Sequence, residues 1–530
     1  MRKPLYLLLI ISLLTSIFSP SATALTTKSS IGVNNQNIVF NSKITDYNLY
    51  NCSNKETTFT IYNAKKSDKY DNQLNSSGKK IIKYKKQQLD DMLNVIYLSD
   101  YKKSYYFRCL PDDFPVIAFK QSSKYDIKDG YFLMPYYART LSGHTFSSNY
   151  LIVTDTNGGV LWYNRTSGGS MYLNTLGKNQ LISRGVPNGF HPATPTQYNS
   201  AKITDLNGKT IKDYQLVDYL SRPTYVKENG NILLTQAPIR KNVDISKITI
   251  TLQDQTAGKC IIDKTNVTIS GVGITEIDTS GKIVFEVDLT DKIPFNSSSK
   301  ANIVNQALDD QPLDCAIDIF HQNSITESED GKGYLLSNRW SGVFYIDKAS
   351  KEVLWHIGSY KSEKSLEILS DPLGTKGPIA QHGGLLTKDN RLFIFDNQTD
   401  KHILARGLEY QIDPNSKKAV YIRSFSLGME FCVELEGSYN CAATSQGNIE
   451  LLPKNNLLVS WGNTDGRSQM ATVFSPRGTP LATLSITSPK GNVFALFYAT
   501  KDKLDTKELR KTASSKITIN HGTYPIKNAK

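Results

Sequence analysis

The chain has 530 residues, 39% of them hydrophobic, and a net charge of +13. That is ample for a large core, and no stretch beyond the N-terminal leader is long and apolar enough for a membrane helix. The basic balance alone would admit nucleic acid as a partner. The leader argues for export, so a Lys-rich solvated surface with attraction for anionic small molecules is expected instead.

Arg2 and Lys3 precede an apolar run from Leu5 to Leu14, and Ala22-Thr23-Ala24 offers a small-residue cleavage site. This is the pattern of a secretory signal peptide over residues 1–24. Residues 25–125 read as a separate β-rich domain. Strand-like runs at Thr57–Tyr62 and Tyr105–Cys109 flank a Lys/Asn/Ser-rich stretch, Asn63–Lys86. Lys86–Ile96 is the best helix pattern in a chain with few.

From about residue 126 one phrase recurs six times. An acidic or hydroxylic start is followed by a turn and a β-rich run, at Asp155 (DTNGGVLW), Asp205, Asp278, Asp347, Asp413 and Ser475. The starts are 50, 73, 69, 66 and 62 residues apart. Each reads as a tight turn joining two strands, and a hairpin repeat of this period predicts a radial array. The predicted fold is therefore all-β: a six-bladed β-propeller over residues 126–500, with the smaller N-terminal β-rich domain before it and a tail, 501–530. Lys241–Ser270 reads as a hairpin inserted in blade three, and Pro294–Asp310 as a loop leading to blade four. Asn492–Thr500 reads as a strand that helps close the ring.

Six cysteines in an exported chain favour disulfides. Proximity favours Cys432–Cys441. Cys52–Cys109 and Cys260–Cys315 are the remaining guesses, since the sequence leaves connectivity open. No spacing matches a metal site.

Two of the seven histidines occupy matched positions. His321 opens HQNSI, 26 residues before Asp347, and His382 opens HGGLL, 31 residues before Asp413. Each would start the inner strand of a blade, at one end of the central channel. Asn323 follows the first. Arg339 and Trp340 end the next strand of blade four, while Asp396 and Asn397 end that of blade five, with Lys401 and Arg406 just beyond. Imidazoles, a guanidinium and amides around one apolar-walled channel suit an oxyanion, and Trp340 could border an aromatic ring. The plainer alternative is that both histidines are satisfied structural residues.

At these residues the chain resembles the arylsulfate sulfotransferase family. The matching runs are FHQNSITESEDGKGYLLSNRWSGVFYIDKASKEVLWHIG, AQHGGLLTKDNRLFIFDN, RGLEYQID and GNIELLPKNNLLVSWGN. The resemblance implies an exported six-bladed propeller with an N-terminal β domain. It implies transfer of a sulfuryl group from an aryl sulfate to a phenol, without a nucleotide donor or other cofactor. It places His321 and His382 in oxyanion-binding or acid/base roles and Arg339 as a channel cation, and the family's Arg after FDN appears as Lys401 or is displaced to Arg406. Beside this, the residues themselves make Asn323, Asn397, Lys401, Arg406 and Trp340 the candidate substrate-binding groups, with no metal expected. A Cys432–Cys441 clasp before the last blade also fits the family. Localisation would be periplasmic or extracellular. The chain departs from the family at the start of the last blade, where a nucleophilic histidine is expected. Asn440-Cys441-Ala442-Ala443-Thr444-Ser445 has none, and none lies between His402 and His521. Three outcomes stay open: His321 or His382 as nucleophile, direct transfer between bound substrates, or a non-catalytic propeller binding an anionic or aromatic ligand.

Overall fold

A computed structural model describes residues 28–519, except 35, 53–56, 70–79, 85–90, 129, 140–145, 168, 178, 187–199, 216–223, 255–259, 306–314, 375–376, 399–403, 429–432, 436–437, 441–442, 444, 463–468, 489–491, 496–497 and 501–503. The leader, Lys401, Cys432 and Cys441 lie outside the described residues.

Each of the six phrases is the hairpin between the third and fourth strands of a sheet, and its first residue explains why it recurs. Asp155 accepts hydrogen bonds from the backbone N–H of Asn157 and Gly159, at 2.9 and 2.8 Å. Asp205 does the same for Asn207 and Lys209, and Asp278 for Ser280 and Lys282. At Ser475 a hydroxyl replaces the carboxylate and accepts from Arg477 and Thr479. Asp347 and Asp413 take the N–H of Ser350 and Ser416. A short polar side chain thus satisfies amides that the turn leaves unpaired.

The six sheets follow one another along the chain. Blade two is built from Gly169–Thr175, Gln180–Val186, Ser200–Asp205 and Thr210–Gln215. Blade three has Thr224–Val226, Ile232–Gln236, Gly273–Ile277 and Ile283–Asp288. Blade four has Gln322–Glu327, Gly333–Asn338, Gly342–Asp347 and Val353–Ile357. Blade five has His382–Leu386, Arg391–Asp396, Arg406–Asp413 and Lys418–Phe425, with Glu367–Leu369 added in parallel outside. Blade six has Asn448–Leu451, Leu457–Ser460, Gln469–Phe474 and Pro480–Thr487. In blade one, Tyr131–Arg139, Phe146–Thr154 and Val160–Thr166 receive their innermost partners from Asn492–Ala495 and Tyr498–Thr500. Each inner strand touches the next, and Asn448–Leu451 touches Tyr498–Thr500. The array is a six-bladed β-propeller. A second fastening comes from Val116–Gln121, which pairs with Pro480–Thr487 on the outer edge of blade six.

Two features differ from the sequence expectation. The residues after blade three's second strand do more than form a hairpin. Ile239–Val243, Thr251–Asp254 and Val267–Ser270 join Lys300–Asn305 and Cys315–Asp318 in a five-stranded sheet. The stretch read as a loop therefore contributes a strand, and the disulfide Cys260–Cys315 staples this sheet. In the N-terminal domain, two three-stranded sheets enclose a core that includes Phe59, Leu98 and Phe107, with the disulfide Cys52–Cys109. There Leu93–Leu98 is a strand and not part of a helix. Asn94, Ile96 and Leu98 are buried in alternation, and pairing with Lys103–Cys109 fixes that period of two.

The one α-helix among the described residues, Thr506–Thr512, is capped by Asp505. It fastens the N-terminal domain to blade one. Arg510 forks onto Asp46 at 2.8 and 2.7 Å and stacks over Tyr106 at 3.7 Å. Gly159, in the Asp155 turn, lies so close that a Cβ there would meet Asp46 at 2.7 Å. Burial, and then the nearby Asp46, push the Asp155 carboxyl up to about 7.

Folding therefore takes up a proton at Asp155, whose unfolded value is near 3.8. The stability this proton contributes is present at low pH and is lost as pH rises through that window to about 7. Asp155→Asn keeps the turn's acceptor oxygen and removes the charge. Its thermal midpoint is expected above the parent's at pH 8 and level with it near pH 4; equal midpoints at both pH values would refute this. Arg510→Ala strands a buried carboxylate and should cost about 3–5 kcal/mol in a denaturant titration.

Candidate active site

His321 sits just before the inner strand of blade four, 6% exposed, with a left-handed φ of 47°. Non-glycine residues rarely hold that conformation unless neighbours fix it. Asp318 does so twice. One carboxylate oxygen accepts the His321 backbone N–H at 3.0 Å, and the other lies 2.6 Å from Nδ1. The Asn302 carboxamide is 3.1 Å from the same nitrogen. Asp318 and Asn302 are cross-strand partners in the inserted sheet. The His321 carbonyl in turn accepts the Arg339 N–H at 3.1 Å.

His382, 7% exposed, opens the inner strand of blade five. Its Nδ1 lies 2.8 Å from Asn397 Oδ1 and 3.3 Å from the Ala380 carbonyl, both acceptors, so Nδ1 carries the proton. Nε2 accepts the Gln446 N–H at 3.2 Å. Burial, then the Arg339 guanidinium and to a smaller extent His321, hold this imidazole well below its usual range. It is therefore neutral at pH 7, and it lies within the field of both other groups.

Blade junctions at this end are crossed by side-chain amides. Asn323 donates to the Gln381 carbonyl at 2.6 Å, between blades four and five. Asn397 donates to the carbonyls of Ala443 and Gln446, at 3.2 and 2.8 Å, joining blade five to the start of blade six. Gln446 reaches the Tyr137 hydroxyl of blade one at 3.3 Å. Gly447, at φ 108°, allows the Phe395 ring to pack where a Cβ would stand 2.1 Å away.

Arg339 and Trp340 form the wall beside His321. The guanidinium carbon is 4.5 Å from the indole centroid, the Lys300 ammonium 5.5 Å, and the His321 ring 6.4 Å. Trp340 is 7% exposed, and its Nε1 has no hydrogen-bond partner among the described residues.

Arg406 lies elsewhere in blade five. Its Nε donates to Asp396 at 3.0 Å and its two terminal nitrogens to Asp371 at 2.9 and 3.1 Å. Burial raises the Asp371 carboxyl, but hydrogen bonds from Arg406 and Tyr410 outweigh it and hold the group below its ordinary range. The guanidinium fork is thus engaged inside the blade. His356 stacks between Phe344 and Tyr360 on the fourth strand of blade four.

The structure therefore brings His321, His382, Arg339 and Trp340 to one end of the ring, with Asn323 and Asn397 bracing it. Sequence reasoning missed Asp318, Asn302, Lys300 and Gln446. Only Asp318 carried a local signal, as an acid three residues before a histidine. Among the described residues no cluster of His, Cys, Asp or Glu has the makings of a metal site.

No curated protein matches the chain. Among solved structures, a periplasmic gluconolactonase from Pseudomonas aeruginosa, PpgL, aligns with 13% identity and a TM-score of 0.35, over 69% of this chain and 99% of its own. The model of the arylsulfotransferase (ASST) family matches residues 82–431, which take in the N-terminal β strands from Leu93 onward, the inserted sheet, His321, Arg339 and His382. On that match, this chain belongs to the arylsulfotransferase family.

Proposed function

We propose that the protein moves a sulfuryl group from an aryl sulfate ester to a phenolic acceptor, at the end of the ring where His321, His382 and Arg339 meet. The observation carrying this reading is that the buried His382 imidazole lies in the field of both Arg339 and His321. Sulfuryl transfer asks for little acid strength. It needs in-line positioning about sulfur and fixed positive charge against the peripheral oxygens. Arg339 supplies a planar fork for those oxygens, and the indole of Trp340 offers a face for an aryl ring. His382, neutral and anchored at both nitrogens, is suited to hold the start of blade six in place. Asn323 and Asn397 keep the blade junctions around the substrate, and Lys401 is a further cation for the sulfate. The leader and the disulfides favour an exported protein, periplasmic or extracellular; among the described residues no helix is long and apolar enough to cross a membrane.

A second reading is a non-catalytic propeller that binds an anionic aromatic ligand. Engagement of both His382 nitrogens and the lack of any histidine between His402 and His521 favour it.

Incubation with a chromogenic aryl sulfate, with and without a phenol, separates the two. Acceptor-dependent release of the donor's phenol is expected, and Arg339→Ala should lower kcat/KM by about 100-fold. Folded protein that binds aryl sulfates without turnover would establish the second reading. Asn397→Ala removes the acceptor for His382 and two donations to the start of blade six. It should cost about 2–3 kcal/mol in unfolding free energy; an unchanged midpoint would show that the junction is held by other contacts.

A further inference from the structure

The turn that leads into His382 runs from Ile379 to Gln381, and it is tied in three directions. The Ile379 N–H donates to Asp396 Oδ1 at 2.8 Å, and the Ile379 carbonyl accepts the Gln398 N–H at 3.1 Å. The Ala380 carbonyl lies 3.3 Å from His382 Nδ1. Gln381 faces blade four. Its carbonyl accepts from Asn323 at 2.6 Å, and its side-chain amide donates at 2.6 Å to the carbonyl of Asn338, the residue before Arg339. One short turn therefore sets where His382 stands relative to Arg339. Ala380 holds a left-handed φ of 55°. A residue with a side chain keeps that angle only where its surroundings fix it, and here Asp396 and Gln398 do so from either side of Asn397.

Asp396 is itself held. It is fully buried, and while its Oδ1 takes Ile379, its Oδ2 accepts from Arg406 Nε at 3.0 Å. The two terminal nitrogens of the same guanidinium fork onto Asp371 at 2.9 and 3.1 Å. Asp371, which precedes the turn in sequence, also accepts the Leu373 N–H at 2.9 Å and the Tyr410 hydroxyl at 2.6 Å. Arg406 thus grips the chain ahead of the turn through Asp371 and the turn itself through Asp396. A guanidinium presents donors on two sides of one plane and can do both at once, which the single ammonium of a lysine cannot.

We infer that Arg406 is a positioning residue for the proposed transfer: clamped between Asp371 and Asp396, it fixes the turn Ile379–Gln381 and with it the spacing of His382 and Arg339. The effect on rate rests on the sulfuryl-transfer reading. Arg406 acts through the turn and not through the substrate, so its place is outside the set of sulfate-binding cations. Groups displaced slightly from the transition state lose their advantage there, while looser ground-state contacts survive. Loosening this clamp therefore lowers kcat more than it raises donor KM.

The test compares Arg406→Lys and the milder, isosteric Asp371→Asn with Arg165→Ala. The last removes an ion pair to Asp113 at 2.7 Å in blade one, away from the turn. Arg406→Lys should lower kcat about 100-fold and Asp371→Asn about tenfold, each with donor KM within about twofold of the parent. Arg165→Ala should lower the thermal midpoint and leave kcat of the folded protein unchanged. In the 15N–1H spectrum of the imidazole nitrogens, parent His382 should appear as the Nδ1–H tautomer alone. Arg406→Lys and Asp371→Asn should show a mixture of both tautomers, because Ala380 and Asn397 no longer converge on Nδ1. Unchanged kcat in both folded variants, an equal loss in Arg165→Ala, or a parent-like His382 tautomer in the variants overturns the inference. If Arg406→Lys does not fold, Asp371→Asn decides alone. A parent protein that turns over no aryl sulfate in the presence of phenol sinks the sulfuryl-transfer reading, and the tautomer measurement still tests the clamp.

Discussion

Six sheets arranged in a ring hold their shape only if the last is fastened to the first, and everything at the histidine end depends on that fastening. In this chain it is made twice. A strand following blade six in sequence becomes the innermost strand of blade one, and a strand preceding blade one becomes the outermost strand of blade six. The ladder hydrogen bonds at both places tie distant parts of the chain together at the inner and outer radius. The Arg510–Asp46 fork then locks the N-terminal domain against the turn of blade one.

Ring closure matters to the chemistry because the site belongs to no single blade. His321, Arg339 and Trp340 come from blade four and its approach, His382 and Asn397 from blade five, and Gln446 from the start of blade six, with Tyr137 of blade one beyond it. The junctions between blades four and five and between blades five and six are each crossed by a side-chain amide that donates to a carbonyl of the next blade. Several residues at these crossings, His321, Ala380, Gln398 and Gln446, hold left-handed backbone angles without being glycine. Strain of that kind survives only where surrounding contacts over-determine it.

The parts of this architecture legible in the sequence are those encoded by neighbours in sequence. Asp155, Asp205, Asp278 and Ser475 cap the amides of their own turns, so the repeat can be read directly and the blade count with it. The matched placement of His321 and His382 is likewise a within-blade regularity. What was hidden depends on pairing at a distance. Asn302 reaches His321 only because Lys300–Asn305 pairs with Cys315–Asp318. Arg406 resembles a substrate cation in sequence because its partner, Asp371, lies 35 residues away. Lys86–Ile96 reads as helical on local apolar spacing, whereas Leu93–Leu98 takes its period from the strand beside it.

The innermost strand of blade one has a consequence for how this protein comes into being. Tyr131–Arg139 leaves the synthesis machinery early, yet its inner partner at Asn492–Thr500 emerges only after every other blade has been made. Until then the first blade presents an open edge with unpaired amides and carbonyls, of the kind that invites pairing with the wrong chain. Contacts so far apart in sequence also close slowly. The waiting period is longest on the side of the ring where Tyr137 meets Gln446, so the wall that completes the site is among the last parts of the molecule to exist.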